Sequence, residues 1–184
     1  ATITISAPIE APPSDPAAIQ AQGAAFWPLA LARELDDAVL ELRANELEIG
    51  TWVFRAVGDA GMVEAADKAL LDNADHWLVR EITLYLKRSL KRIDVSARSL
   101  IALIEPGSCF TGTLLDIALV CDRGYMLDGI FEGSNVPAAT VRLTGMNFGP
   151  LTMSNGLTRL EHRFLGEPEK LDEAKQRIGE DLEA

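Results

Sequence analysis

The stretch SLIALIEPGSCFTGTLLDIALVCD, residues 99–122, decides the fold of this chain. An apolar run of strand type leads into a turn with Pro106 and Gly112, and a second apolar run of helical type follows. A turn that leads into a helix N-terminus leaves backbone N–H groups free to hold a developing oxyanion or a phosphate. Cys109 lies within this turn, and Glu105 lies just before it. We therefore expect the chemistry of the protein at this turn.

Length and composition limit the kind of protein. The 184 residues suffice for one domain with a real core, and hydrophobic and charged fractions of 48% and 24% are typical of globular proteins. The formal net charge of −11 argues against nucleic acid as a general partner, because a phosphate backbone needs a basic surface. A phosphorylated small molecule is still compatible with this charge, since it needs only a local basic patch.

The cysteines and the apolar runs bear on the compartment. Cys109 and Cys121, in a chain without a signal-peptide pattern, predict a reducing cytoplasm. A disulfide between them is arithmetically possible, but their apolar surroundings favour free thiols. No apolar run approaches the roughly 18–20 residues that cross a bilayer, so the sequence predicts no membrane span.

Strand-type and helix-type segments alternate along the chain, and this pattern predicts the α/β class. After a first strand at residues 2–6, the proline-rich residues 7–16 are expected to form a linker across the surface. A charged helix is expected to end the chain over residues 167–184, with Pro168 in its first turn. Between these segments, the patterns predict helices at residues 29–45, 62–71, 75–93 and 156–165 and strands at residues 50–57, 124–128 and 139–143.

Two motifs of this chain resemble the crotonase, or enoyl-CoA hydratase/isomerase, superfamily: LLDIALVCDRGYML at residues 114–127 and GLTRL at residues 156–160. In that superfamily a glycine-rich turn leads into a helix of the type E-L-A-L-A-C-D, and a G-G-T-Q-R-L segment follows later. Longer runs resemble more closely those members that open the ring of 2,3-epoxybenzoyl-CoA. These runs are NELEIGTWVFR, ADHWLVRE, IDVSARSLIALIEPGSCF and MNFGPLTMSNGLTRL.

The resemblance covers nearly the whole chain and implies an α/β, crotonase-like fold. This fold is a spiral of ββα units, present as a single partial domain over residues 1–184 and incomplete at the C-terminus. The match falls on part of the C-terminal half of those enzymes, which implies a fragment or a split subunit. The implied partners are an acyl-CoA small molecule, a missing N-terminal crotonase-like half or a partner chain, and further copies in a homo-oligomer.

The same resemblance implies an activity, namely ring cleavage of 2,3-epoxybenzoyl-CoA with water in aerobic benzoate degradation. The products are formate and an aliphatic CoA semialdehyde, the coenzyme A thioester is the substrate, and no metal or redox cofactor is expected. The alternative is a binding or structural module that has lost its own site and serves as a scaffold or oligomerisation half.

Several site residues follow from the positions that match the superfamily motifs. The resemblance implies one oxyanion-hole N–H at Thr113 and a second in the loop after GTWVFRAV, at Gly58. Asp116 takes the position of the helix glutamate with a side chain one methylene shorter, and a structural cap or pair is the alternative role. Gly145 stands where the superfamily has its second carboxylate. A two-carboxylate hydratase mechanism is therefore not expected, and Gly145 favours the scaffold alternative.

The residues themselves suggest further candidates. Glu105 could serve as an acid or base at the end of a buried strand, or it could satisfy neighbouring backbone N–H groups. Cys109 could be a nucleophile only beside a base, and a small buried thiol is the alternative. Arg88 and Lys91 lie in the basic C-terminal half of a predicted helix and could bind the phosphates of CoA, or they could form a solvated basic face. No zinc-type spacing of Cys and His is visible, so no metal site is expected.

Overall fold

A computed structural model of the chain describes residues 1–130, 133 and 135–184. Its strands form a four-stranded sheet in the order β1-β2-β3-β5, parallel throughout, and a three-stranded sheet in the order β4-β6-β7. In the smaller sheet β4 and β6 are parallel, and β6 and β7 are antiparallel. The strands are β1 Thr2–Ser6, β2 Thr51–Val57, β3 Ser99–Ile104, β4 Phe110–Thr111, β5 Arg123–Met126, β6 Val141–Arg142 and β7 Asp181–Leu182.

Helices connect the strands, as the predicted α/β class requires. The α-helices are α1 Pro16–Gln22, α2 Trp27–Ala44, α3 Ala60–Asp72, α4 Trp77–Asp94, α5 Gly112–Val120, α6 Arg159–Arg163 and α7 Pro168–Gln176, with short 3₁₀ helices at Gly23–Ala25 and Gly145–Phe148. The long helices α2 and α4 pack against each other. Their buried leucine, isoleucine and valine side chains share one core with the large sheet. The predicted positions of α2, α3 and α4 are confirmed to within a few residues.

The large sheet has one buried face and one open face. Trp52, Phe54 and Ala56 alternate along β2 with side chains of the opposite face, and all three are fully buried under the helices. The register continues this buried face into β3 at Leu100 and Ala102. The central helix α5 is apolar all around and packs among α3, α4 and β3, so that the chain folds inward around the stretch at residues 99–122.

The predicted linker and the predicted terminal helix both end earlier in the chain than the sequence indicates. The linker ends one residue early because Asp15 caps a helix that begins at Pro16, where the fixed φ of proline suits the first turn. The terminal helix ends at Gln176 rather than continuing to residue 184, because Asp181–Leu182 pairs with β6 as strand β7. The predicted strand at residues 139–143 shortens to Val141–Arg142.

None of the helices formed by the described residues combines the length and the apolar character needed to cross a membrane.

Candidate active-site turn and its buried polar network

The turn from β4 into α5 packs closely against helix α3. Gly112 begins α5 with a φ of +46°, a conformation that favours glycine. A Cβ atom at this position would lie 1.7 Å from Oδ2 of Asp67 and 2.4 Å from Oγ1 of Thr144. Glycine is therefore required here both by the backbone angle and by the packing of α3 against the turn.

Asp67 lies at the centre of this packing, with 1% of its surface exposed. Its carboxylate accepts hydrogen bonds from the backbone N–H of Thr113 at 2.9 Å, from Oγ1 of Thr113 at 2.6 Å and from Oγ1 of Thr144 at 2.8 Å. Burial raises the pKa of Asp67 to about 6, and the hydrogen bonds from Thr113 and Thr144 oppose that rise. The carboxylate thus fills the N-terminal turn of α5 from within the protein.

The placement of Thr113 bears directly on the expected oxyanion hole. Its N–H, one of the two implied donors, donates to Asp67 and so already holds a negative oxygen. Gly58, the other implied donor, follows β2 with a φ of +123°, and a Cβ there would lie 2.7 Å from Cβ of Ala7. An acyl oxygen could use the Thr113 N–H only if the Asp67 carboxylate moved away.

Asp116 lies one turn along α5 and is equally buried, at 1% exposure. It accepts a hydrogen bond from Nδ2 of Asn147 at 3.0 Å and lies 3.5 Å from Nη1 of Arg159. Burial raises the pKa of Asp116 to about 7, although the charge of Arg159 opposes the rise. A carboxyl group with this pKa can take up or release a proton near neutral pH, but its oxygens face Asn147 and Arg159.

Arg159 joins Asp116 to the end of α4. Its Nη2 donates to Oδ2 of Asp94 at 2.8 Å and its Nη1 donates to the carbonyl oxygen of Leu151 at 3.0 Å. Only 3% of the Arg159 side chain is exposed, compared with 12% for Asp94. Burial raises the pKa of Asp94, and the guanidinium opposes this effect. The buried Arg159 therefore faces one buried carboxylate, Asp116, and one half-buried carboxylate, Asp94, and its Nε has no hydrogen-bond partner among the described residues.

Glu105 and Cys109 lie on the other side of the turn. Glu105 forms an ion pair with Arg55 of the neighbouring strand, and 41% of its side chain is exposed, so it is not a buried carboxylate. Cys109 is 1% exposed, and burial raises the pKa of its thiol to about 11. A thiol with this pKa is protonated at neutral pH and is a poor nucleophile. Cys121 is likewise a buried free thiol.

The basic candidates lie on α4. Arg88 is exposed and stacks over the ring of Tyr85, with 4.4 Å between Cζ and the ring centroid. Lys91 is half-buried, and its charge helps to lower the pKa of Asp94. Lys91 thus adds positive charge near the Arg159 network, while Arg88 lies on the helix surface.

Two grooves open on the described surface. The larger, of about 560 Å³, lies between β1, the proline-rich segment and the helices α1 and α2. A second, apolar groove of about 370 Å³ lies between α5, β6, α6 and α7. Neither groove is lined by the residues proposed for catalysis or for the oxyanion hole, which are Gly58, Glu105, Cys109, Thr113 and Asp116. Among the residues with described positions, no cluster of three or more Asp, Glu, His or Cys side chains could hold a metal ion.

Known proteins resemble this chain in fold and in sequence. An enoyl-CoA hydratase from Geobacillus kaustophilus HTA426 superposes with a TM-score of 0.55 at 19% identity, covering 99% of this chain and 59% of the hydratase chain. The chain has the crotonase fold. It is also 51% identical over 178 residues to benzoyl-CoA-dihydrodiol lyase of Aromatoleum evansii. That match covers 97% of this chain but only 31% of the lyase, in its C-terminal part. No protein-family model matches.

The crotonase fold makes Gly145 informative. At this position, where the motif resemblance implies the superfamily's second carboxylate, a Cβ atom would lie 2.9 Å from Cδ1 of Leu71. Gly145 begins a 3₁₀ helix whose capping box joins Thr144 and Asn147, so its backbone is fixed by the network described above. A longer side chain here would require the end of the half-buried Leu71 side chain to shift.

The sequence analysis missed five members of this network, which are Asp67, Asp94, Thr144, Asn147 and Arg159. A signal for Asp67 was present, because Val63, Ala66 and Leu70 share its helix face and the spacing places the carboxylate among apolar residues. Arg159 lies within the GLTRL motif, but the motif does not reveal its partners. Asp94 and Asp116 are 65 and 43 residues away in sequence.

The raised pKa of Asp67 predicts a pH dependence of stability. The folded state binds the proton of the Asp67 carboxyl group more tightly than the unfolded chain does. The contribution of Asp67 to the free energy of unfolding is therefore fully present below its unfolded pKa. It is lost as the pH rises through about 6. Between pH 4 and pH 7 this group should lower the free energy of unfolding of the unmodified chain by a value on the order of 3 kcal/mol. Urea unfolding of Asp67→Asn should not show this decrease. Asn can keep three hydrogen bonds if the hydroxyl of Thr113 turns to accept one.

The control for this prediction is Asp72→Asn on the same helix, where 52% of the Asp72 side chain is exposed. Its free energy of unfolding should follow the same pH dependence as the unmodified chain. If Asp67→Asn and Asp72→Asn change the pH dependence equally, the buried carboxylate is not its source.

Proposed function

We propose that this chain supplies the C-terminal part of a benzoyl-CoA-dihydrodiol lyase that opens the ring of 2,3-epoxybenzoyl-CoA in aerobic benzoate degradation. The observation that carries this proposal is the 51% identity over 178 residues to the lyase of Aromatoleum evansii. The match extends over 97% of this chain. The chain spans about a third of the length of that relative, so the proposal includes a further part of the enzyme, or a partner chain, that completes it.

The substrate in this proposal is a coenzyme A thioester, and the reaction adds water and releases formate and an aliphatic CoA semialdehyde without a metal or redox cofactor. Thr113 and Gly58 are the proposed donors to the thioester oxygen, Asp116 and Glu105 the proposed acids or bases, and Arg88 and Lys91 the proposed phosphate contacts. The raised pKa of Asp116 supports proton transfer near neutral pH. For Cys109, burial and a pKa of about 11 support a packing role instead of the nucleophilic one.

A second function is supported by a specific observation. The N–H of Thr113 is held by Asp67, and the carboxylate of Asp116 is held by Asn147 and Arg159. Both groups are thus occupied inside the protein. In this second proposal the chain is a scaffold or oligomerisation half, and the chemistry occurs in the part of the lyase that this chain does not cover. We place either form in the cytoplasm, because Cys109 and Cys121 are buried free thiols, and we propose that it assembles as a homo-oligomer.

The deciding experiment supplies this chain together with the preceding part of the Aromatoleum evansii lyase and follows formate release from 2,3-epoxybenzoyl-CoA. We expect turnover with both components and none with this chain alone. No turnover with the reconstituted pair, under conditions where the complete lyase is active, would contradict the proposed activity.

Asp116→Asn then separates the two functions. The amide keeps the shape and can accept the hydrogen bond from Arg159, but it loses the one from Nδ2 of Asn147 and cannot transfer a proton at neutral pH. A loss of about 10²-fold or more in kcat would support a catalytic Asp116, within the usual range for a general acid or base. Full activity in a folded variant would support the scaffold function. Asp36→Asn, which removes the carboxylate paired with Arg92 in the α2–α4 contact, is the control for a buried charge elsewhere.

A further inference from the structure

The face of the large sheet that points away from the helices is open. Register and alternation place five apolar side chains on it, and two of them, Val57 and Tyr125, are 40% and 54% exposed. Among the described residues, none of the five belongs to the hydrophobic core or packs against it. We call this surface the open sheet face; its apolar residues are Val53, Val57, Ile101, Leu103 and Tyr125.

A parallel sheet with one open face is unusual, because such sheets are covered on both faces in nearly all proteins. The four strands here are parallel throughout, and the covered face is filled by fully buried side chains such as Trp52 and Phe54. The open sheet face therefore has the composition and the geometry of a surface that another protein layer covers.

The charged side chains on this face indicate which groups a covering surface should carry. Arg55 and Glu105 neutralise each other across neighbouring strands, while Arg123 adds a positive charge beside Tyr125. The face is thus locally basic in a chain whose net charge is −11. A complementary surface is apolar and presents a carboxylate opposite Arg123.

The size of the face distinguishes a tethered partner from a free one. Four strands about 4.8 Å apart and some five residues long cover only about 300 Å² per partner. Independent complexes bury about 800 Å² per partner, so this face alone is small for a dimer of free copies. A partner joined to the same polypeptide needs less area, because the link raises its effective concentration into the millimolar range.

The geometry of β1 shows where such a link would enter. Strand β1 is the edge strand of this sheet, and the Ala1 ammonium donates to the carbonyl oxygen of Thr51 at 2.8 Å. In the lyase relative the matched segment lies in the C-terminal part, so a large part of that protein precedes it. A polypeptide continuing from the counterpart of Ala1 would therefore emerge beside the open sheet face.

We propose that the open sheet face docks the preceding part of the lyase, through an apolar surface that carries a carboxylate opposite Arg123. This inference rests on the proposed function, because that function supplies the partner. It goes further by naming the surface that the partner covers.

Binding measures this docking independently of turnover. Isothermal titration of this chain with the preceding part of the Aromatoleum evansii lyase, at concentrations up to the millimolar range that a link would provide, should show a weak complex that Arg123→Glu and Ile101→Lys each weaken at least 10-fold. Leu47→Lys is the matched control, since Leu47 is 68% exposed in the α2–β2 connection, and its binding should match the unmodified chain. Circular dichroism and urea unfolding confirm that each variant is folded, and Arg123→Glu keeps the test intact if Ile101→Lys unfolds.

Two results would overturn the docking. One is that folded Arg123→Glu binds with the same affinity as Leu47→Lys, or that the unmodified chain does not bind at all. The other is self-association of this chain that the sheet-face variants abolish, which would assign the face to a second copy. Binding through this face without formate release would leave the docking in place and contradict only the proposed function.

Discussion

Replacing Gly112 by alanine is expected to lower the free energy of unfolding by about 4 kcal/mol or more, near the upper end for single substitutions. The new methyl group would lie 1.7 Å from Oδ2 of Asp67 and 2.4 Å from Oγ1 of Thr144. Relief requires the Asp67 and Thr144 side chains, or α3 itself, to move away from the turn, and either movement breaks the buried hydrogen bonds between Asp67, Thr113 and Thr144. The φ of +46° adds backbone strain of about 1 kcal/mol. Urea unfolding at pH 7 measures the sum.

Gly107→Ala is the matched control, because Gly107 has a φ of +83° in the same stretch but no atom within 4 Å of the place that the added methyl group would take. It should lose only the backbone contribution, about 1–2 kcal/mol. Equal losses at Gly112 and Gly107 would show that the contact with Asp67 is not what requires glycine at the start of α5.

Arg159→Met is expected to lower the free energy of unfolding by about 3–5 kcal/mol at neutral pH. Methionine fills much of the volume, but it leaves the buried Asp116 without its cation and removes the ion pair of the half-buried Asp94. The pKa of Asp116 should rise further, so the folded variant holds its proton at neutral pH. The loss should shrink as the pH falls and both carboxylates become protonated in the folded and unfolded states alike. Urea unfolding at pH 7 and at pH 4 measures this difference.

Arg177→Met tests the same change at the surface. Arg177 pairs with Glu180, and 57% of each side chain is exposed, so the expected loss is below about 0.5 kcal/mol at either pH. A loss at Arg159 as small as that at Arg177, or one that does not change with pH, would contradict a role for Arg159 in balancing buried charge.

The sequence predicted the parts of the fold that local patterns determine. The apolar alternation of GTWVFRAV predicts β2, and the helical spacing of Leu31 and Leu35 predicts α2, because both signals act over neighbouring residues. Helix α1 was missed although Asp15 before Pro16 is a typical helix start, since the prolines before it indicated a linker. Strand β7 was missed because a pair of residues carries no periodicity, and its pairing with β6 is a long-range contact.

The site could be predicted only in outline. The motif resemblance indicated Thr113 and Asp116 as informative positions, and the structure places both in one buried network. Their partners could not be predicted, since Asp67 lies 46 residues before Thr113 and Arg159 lies 43 residues after Asp116. A hydrogen bond between residues so distant in sequence follows from the packing of α3, α5 and α6, which no local pattern encodes.

The contact between Gly145 and Leu71 also shows how an acid could be introduced beside the buried network. A Cβ atom at position 145 would meet only the end of the Leu71 side chain, which is half-buried and can change its rotamer. A glutamate at this position would thus require a local side-chain shift, and not a second substitution at position 71.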